Sequence, residues 1–213
     1  MDILYAQPTT DAISIQHAAK IHRLMFQLVL EQRPGSVLEV GCGAGVVGAM
    51  IAVRGIRYVG IDPDDRSLST AKSQFPDLRV IKGSCYDDPA TSTLGEFDVV
   101  CSTDVIEHVY DPRTYLQFVA AHLRANGSFV CGTPNYGNYT RNLLLSIFNR
   151  WDHHHNPLWD GGHIKFFSKR TLGQLFDECG FQIDQWHSMA STRVPLISAA
   201  LFCVARLRNT DPA

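Results

Sequence analysis

The chain has 213 residues with 19 basic and 21 acidic side chains, a formal net charge of −2, so it has no electrostatic footprint for DNA or an anionic membrane, and RNA is left only a local patch. At 45% hydrophobic and 19% charged, the composition is that of a globular protein with a sizeable core, and the length suits one domain covering 1–213. Six cysteines scattered without a CxxC pair, no basic-then-apolar leader in residues 1–16, and a longest apolar run (194–205) too short to span a bilayer lead to an expectation of reduced thiols and a cytoplasmic protein.

In chain order, residues 14–32 read as an amphipathic helix with Ile15, Ala18, Ile21, Leu24, Met25 and Leu28 on one face. SVLEV (36–40) is a short apolar strand that ends at glycines, followed by a helix over 44–54. RYVGI (57–61) is a second strand, 65–74 a helix, LRVIK (78–82) a third strand and FDVVCS (97–102) a fourth. A helix over 112–124 follows, with Pro112 in its first turn and Asn126-Gly127 at its end, then a strand SFVCG (128–132). Residues 134–168 are long and irregular apart from a helical stretch at 139–150, and a loop of that length points to function. A helix over 170–179 and strands at 181–189 and 200–207 close the chain. Strands alternating with helices imply a mostly parallel sheet covered on both faces.

VLEVGCGAGVVG (37–48) follows the first strand and opens a helix. Gly41, Gly43 and Gly45 permit a tight turn and a ligand's close approach to main-chain N–H groups at a helix N-terminus. Asp62 ends the second strand, so glycine loop and carboxylate meet in the crevice beyond the strand ends, where two oxygens suit the two hydroxyls of a ribose. Gly43 to Gly48 matches the dinucleotide fingerprint, which would make the chain an NAD(P)-binding Rossmann oxidoreductase. Glu39 argues otherwise: a carboxylate two residues before the first glycine repels a pyrophosphate and welcomes the cationic amino group of an amino-acid-bearing nucleoside.

Here the sequence resembles the class I S-adenosylmethionine-dependent methyltransferases, whose first motif E-x-G-x-G-x-G stands as Glu39 to Gly45. The likeness continues through GIDPD (60–64), GSCYDD (83–88), FDVVCSTDVIEHVYDP (97–112) and GSFVCGTPN (127–135). It implies a Rossmann-like three-layer α/β sandwich, a seven-stranded, mostly parallel sheet with the last strand antiparallel. It also implies roles: Glu39, Gly41, Cys42, Gly43 and Gly45 around the methionine part of S-adenosylmethionine, Asp62 and Pro63 at the ribose, Ser84 and Cys85 beside the adenine, Thr103 and Asp104 at the methionine end. Many relatives carry an acid where Ser84 stands, so the adenine contact would pass to the Cys85 backbone or to Asp87.

STDVIEHVYDP is similar to the matching segment of the ubiquinone-biosynthesis O-methyltransferases, and more distantly to the small-RNA 2′-O-methyltransferases, which hold a divalent metal there. The resemblance implies methylation of an oxygen on a small-molecule or lipid-like acceptor, with His108, His163 and Glu107 as the catalytic candidates. A metal set of Asp104, Glu107, His108 and His163 is the alternative, weakened because the first acid is Asp rather than Glu. The same DVIEH stretch also reads as a capped helix start. Of His153, His154 and His155, two are read as solvated. Trp151 and Trp159 are expected to anchor a lid over 134–168, with Gly161-Gly162 as its hinge. The apolar stretch 139–150 is read as a cap packed on the core; a greasy substrate, a peripheral membrane contact or a dimer contact are its alternatives. A non-catalytic cofactor-binding protein, and either a monomer or a homodimer, also fit the sequence.

Overall fold

The computed structural model describes residues 19–86, 91, 93–154, 158, 161–190 and 198–208. The strands are β1 (Ser36–Val40), β2 (Arg57–Asp62), β3 (Val80–Lys82), β4 (Phe97–Thr103), β5 (Leu123–Pro134), β6 (Phe181–Ala190) and β7 (Ser198–Leu207). The helices are α1 (Lys20–Glu31), α2 (Val46–Ala52), α3 (Asp65–Gln74), α4 (Pro112–Ala121), α5 (Tyr139–Ile147) and α6 (Lys169–Glu178), with a 3-10 turn at Trp151–His154.

All seven strands join one sheet in the order β3-β2-β1-β4-β5-β7-β6. Pairing is parallel from β3 across to β5, and β7 runs antiparallel to both β5 and β6. The chain winds outward from β1 to β3, then returns and winds the other way through β4. The carboxyl ends of β1 and β4 therefore flank a topological switch point, the crevice where such sheets bind ligands.

β1 is buried at all five positions, which is why Val37, Leu38 and Val40 put apolar side chains on both faces of the sheet. On one face Met25 and Leu28 of α1, Val47 and Ile51 of α2 and Leu68 of α3 pack over Val37, Val99 and Phe202. On the other, Tyr115 and Val119 of α4 and Leu172 and Phe176 of α6 pack over Leu38, Val100 and Phe129. Side-chain caps fix the helix starts: Asp64 accepts from Arg66 N and Ser67 N, Asp111 precedes Pro112, and Ser168 and Thr171 form a reciprocal capping box. All six cysteines are free, and no helix among the described residues is long and apolar enough to cross a membrane.

The differences from the sequence reading are local. α1 is described from Lys20, so Ile15 and Ala18 lie outside the described residues. α4 ends at Ala121, and Asn126-Gly127 sits inside the β5 ladder instead of ending the helix: Asn126 has φ 63°, and the β4–β5 register shifts there. Residues 104–108 form a turn and not a helix start; the helix waits for the Asp111-Pro112 cap. No residue of α5 is buried, which overturns its reading as a cap on the core.

Candidate functional site

A cavity of about 480 Å³ opens at the carboxyl ends of β1, β2 and β4. Its floor is the glycine loop, tied to β2 because Gly41 N and Cys42 N both donate to Ile61 O, at 2.8 and 3.0 Å. Gly41, Gly43 and Gly45 have φ of 74°, 51° and 77°, a region that L side chains rarely occupy. A Cβ on Gly41 would stand 2.3 Å from Val105 Cγ2, whereas Gly43 has nothing within 4 Å and is open to the cavity. Asp62 accepts from Gly43 N at 2.8 Å and from Asp64 N at 2.9 Å. Burial raises its pKa, and these two N–H groups oppose that rise.

Of the residues expected at the cofactor, Glu39, Gly41, Cys42, Gly43, Asp62, Pro63, Ser84, Cys85, Thr103 and Asp104 line this cavity. Gly45 does not: it is the left-handed N-cap of α2, and a side chain there would meet Leu78 and Ala71 at 2.7 and 3.1 Å. Its role is close packing, not contact. Asp87 lies outside the described residues. No motif marks His22, which reaches the cavity from α1 with a buried Nδ1 that lacks a hydrogen-bond partner. Tyr58 donates to Glu39 Oε2 at 2.5 Å with both side chains buried, and it too was silent. Burial pushes the Glu39 carboxyl up to about 8, with Tyr58 and the Gly48 N–H opposing and Asp62 adding to the rise.

The acceptor side is built on the turn after β4. Asp104 has φ 54°, and burial pushes its carboxyl up to about 6. Thr103 Oγ1 is buried without a hydrogen-bond partner. Glu107 is fully buried; Thr133 Oγ1 donates to its Oε2 at 3.0 Å, and Oε1 has no hydrogen bond and stands 4.0 Å from His108 Nε2. Burial and then the Asp104 charge raise the Glu107 pKa. His108 and His163 meet edge to face with ring centroids 4.7 Å apart. Burial depresses His108, and burial, then His108 and Arg141, push His163 down to about 4.

His163 arrives from the far end of the 134–168 segment, which is stitched at both ends. Ile164 N and Lys165 N donate to the Glu107 carbonyl at 3.0 and 3.0 Å, and Tyr136 N donates to Phe167 O at 2.9 Å. The Tyr136 hydroxyl donates to His154 O at 2.9 Å and also meets His163 Nδ1. Ligand-capable atoms of Glu107, His108 and His163 lie within 4.8 Å of one another, so the expected catalytic trio does converge. Asp104 is outside that group, which removes it from the four-residue metal set.

The rest of the segment corrects one expectation. Trp151 is half exposed and packs within the segment, against Ser146 and His154, and is not an anchor on the sheet. His153 is exposed and His154 buried; His155 and Trp159 lie outside the described residues. Gly161 lines the cavity. Tyr139, Ile147 and Phe148 are 77%, 65% and 69% exposed.

A family model described as a methyltransferase domain matches residues 14–185. A probable S-adenosylmethionine-dependent methyltransferase of Mycolicibacterium smegmatis is 26% identical over 164 residues, 76% of this chain and 58% of that protein. The human mitochondrial ubiquinone biosynthesis O-methyltransferase is 30% identical over 160 residues, 69% of this chain and 41% of that protein. The chain thus spans about half the length of these curated relatives. Among solved structures, an S-adenosylmethionine-dependent methyltransferase from Clostridium acetobutylicum superposes with TM-score 0.67 at 13% identity, covering 88% of this chain and 91% of that one. Magnesium protoporphyrin IX methyltransferase from Synechocystis, solved with S-adenosylhomocysteine, superposes with TM-score 0.65 at 14% identity, covering 86% and 80%. The matched segment carries the glycine loop, Asp62 and the turn after β4, the oxidoreductase reading of the loop falls away, and the chain belongs to the S-adenosylmethionine-dependent methyltransferase family.

Proposed function

We propose that the chain transfers the methyl group of S-adenosylmethionine to an oxygen of a small-molecule or lipid-like acceptor. One observation carries this reading: a single cavity is lined by Glu39, Asp62, an open glycine loop and His108. The residues fit the cofactor. Gly43 leaves open space, and two residues that line the cavity, His22 and Thr103, each hold a buried polar atom without a hydrogen bond. In this reading Glu39 receives the cationic amino group, Asp62 the ribose hydroxyls, Ser84 and Cys85 the adenine, and Thr103 and Asp104 the methionine end. Bound there, S-adenosylmethionine supplies an activated methyl electrophile. The chain's own tasks are then alignment, exclusion of water and removal of the acceptor's proton.

The hydrogen bonds support an imidazole as the base. Tyr136 has one hydroxyl proton, and the His154 carbonyl can only accept it. The Tyr136 oxygen therefore accepts from His163 Nδ1–H, which leaves His163 Nε2 with its lone pair. Burial keeps both imidazoles neutral at pH 7, the form that accepts a proton, and the same burial makes each a weaker base than free histidine. Glu107, 4.0 Å from His108, would pair with a His108 imidazolium only after giving up the proton that burial favours on it. The relatives named as ubiquinone biosynthesis O-methyltransferases support an oxygen acceptor, and the exposed apolar side chains of α5 support a greasy one. The expected setting is the cytoplasm, as a monomer or homodimer.

A second reading rests on the convergence of Glu107, His108 and His163 and on the unpaired Glu107 Oε1: a divalent cation held there would acidify the acceptor hydroxyl. Turnover unchanged by excess chelator would eliminate it.

The deciding experiment is a calorimetric titration with S-adenosylhomocysteine on wild type and Asp62→Ala. Micromolar binding, weakened at least about ten-fold in the variant, is expected; a wild type that does not bind would overturn the reading. Binding without turnover across an acceptor screen would leave a non-catalytic binding protein.

A further inference from the structure

We infer that Tyr58 is a positioning residue for the cofactor: its hydroxyl fixes the Glu39 carboxylate for the amino group, and Gly48 and Gly60 lack side chains to make room for it. This rests on the reading of Glu39 above and adds the device that holds it.

The argument starts from strand register. In the β1–β2 ladder Val37 opposes Tyr58 and Glu39 opposes Gly60. Glu39, Tyr58 and Gly60 therefore share one face of the sheet, with Tyr58 diagonal to Glu39 and no side chain between them. The phenol lies along the space that Gly60 leaves: a Cβ there would be 2.5 Å from the Tyr58 oxygen. It is roofed by α2, where a Cβ on Gly48 would be 2.2 Å from Tyr58 Cζ. Two glycines on two elements thus accommodate one ring. Gly48 is the last glycine of the loop's dinucleotide-like pattern, and here its absent side chain serves the phenol instead of a phosphate.

Packing alone would be met by phenylalanine. The hydroxyl is buried, and a buried hydroxyl is costly unless hydrogen-bonded; its partner is Glu39 Oε2 at 2.5 Å. Glu39 in turn is a buried acid, 4% exposed, that still borders the cavity. Among the described residues no basic side chain forms an ion pair with it. The groups that face it are the Tyr58 hydroxyl, the Gly48 N–H, Asp62, Cys42 and Cys101, and none is a cation. A carboxylate with two donors behind it and no cation paired with it among the described residues is suited to a cation that arrives with a ligand.

The test is the affinity of wild type, Tyr58→Phe and Glu39→Gln for two probes. S-adenosylhomocysteine carries the amino acid end; 5′-methylthioadenosine keeps the nucleoside and lacks that end. Tyr58→Phe should weaken S-adenosylhomocysteine about ten-fold and change methylthioadenosine less than about two-fold. Burial pushes the Glu39 carboxyl up and Tyr58 opposes that. The rise of S-adenosylhomocysteine affinity with pH should therefore move to higher pH in the variant. The Glu39→Gln/Tyr58→Phe double variant should be no weaker than Glu39→Gln alone, since the two act as a unit. Equal loss for both probes would reduce Tyr58 to packing. Selective loss in Glu39→Gln with Tyr58→Phe like wild type would overturn the inference and leave the Glu39 reading intact. No selective loss in Glu39→Gln would sink that reading itself.

Discussion

Glu39 holds its proton at neutral pH in the free protein because burial outweighs its two donors. The consequence for folding has a definite sign. Its folded pKa of about 8 lies above the ordinary 4.5, so ionisation is harder in the folded chain than in the unfolded one. Below pH 4.5 both forms are protonated and nothing is lost; between pH 4.5 and 8 the folded state progressively loses stability relative to the unfolded. Glu39→Gln removes that dependence. Its melting temperature should match wild type at pH 4.5 and exceed it at pH 8, each kcal/mol appearing as roughly 2–4 °C in a chain of this size; identical melting at both pH values would contradict the burial argument. Asp104 is a second residue under constraint. Its φ of 54° is unfavourable for any side chain by about 1 kcal/mol or more. Asp104→Gly should raise the melting temperature while weakening S-adenosylhomocysteine binding, and a lower melting temperature would show that the carboxylate itself holds the turn.

At the scale of elements, α5 stands apart. Its start is capped by Asn138, whose side chain accepts from Arg141 N, yet none of its residues is buried. Replacing Ile147 and Phe148 together by serine should therefore shift melting by no more than about 2 °C. If the helix meets apolar acceptors, the same change should raise KM for them and leave S-adenosylhomocysteine affinity untouched. A large loss of stability would mean that these side chains are covered in solution. The helices and strands themselves were legible, because glycines, prolines and Asx or Ser caps stand at their ends and the central strands are mostly apolar. The exceptions followed from chemistry that a linear reading does not weigh. Asn126 takes a left-handed conformation inside a strand. Residues 104–108 turn without becoming helical because the stronger cap lies beyond them, at Asp111-Pro112.

At the scale of the molecule, cofactor and fold share one free-energy balance. Saturation at 100 times Kd stabilises the folded state by about 2.7 kcal/mol, so S-adenosylhomocysteine should raise the melting temperature by roughly 5–10 °C. The same addition should raise the melting temperature of Asp62→Ala by about half as much or less, given its ten-fold or greater loss of affinity; an equal shift in both would place the ligand elsewhere. The site was partly legible for the same reason that the fold was: Glu39, the glycines and Asp62 are close in sequence and tied to strand ends. His22, Tyr58 and Tyr136 were not, since their meaning comes from sheet register or from contacts as distant as Tyr136 to His163.

The position of β7 has a consequence for biogenesis. It is the last strand among the described residues but not the last in the sheet, and it separates β6 from β5. β6 therefore emerges from the ribosome with no strand to pair with, while β1 through β5, which carry the glycine loop, Asp62 and the turn after β4, already have their partners. A nascent chain can thus shape the cofactor half of the molecule while one sheet edge is still open, and that edge stays a template for unwanted pairing until β7 slots in from the side. A brief wait for the final strand is the moment at which this chain would most need a chaperone.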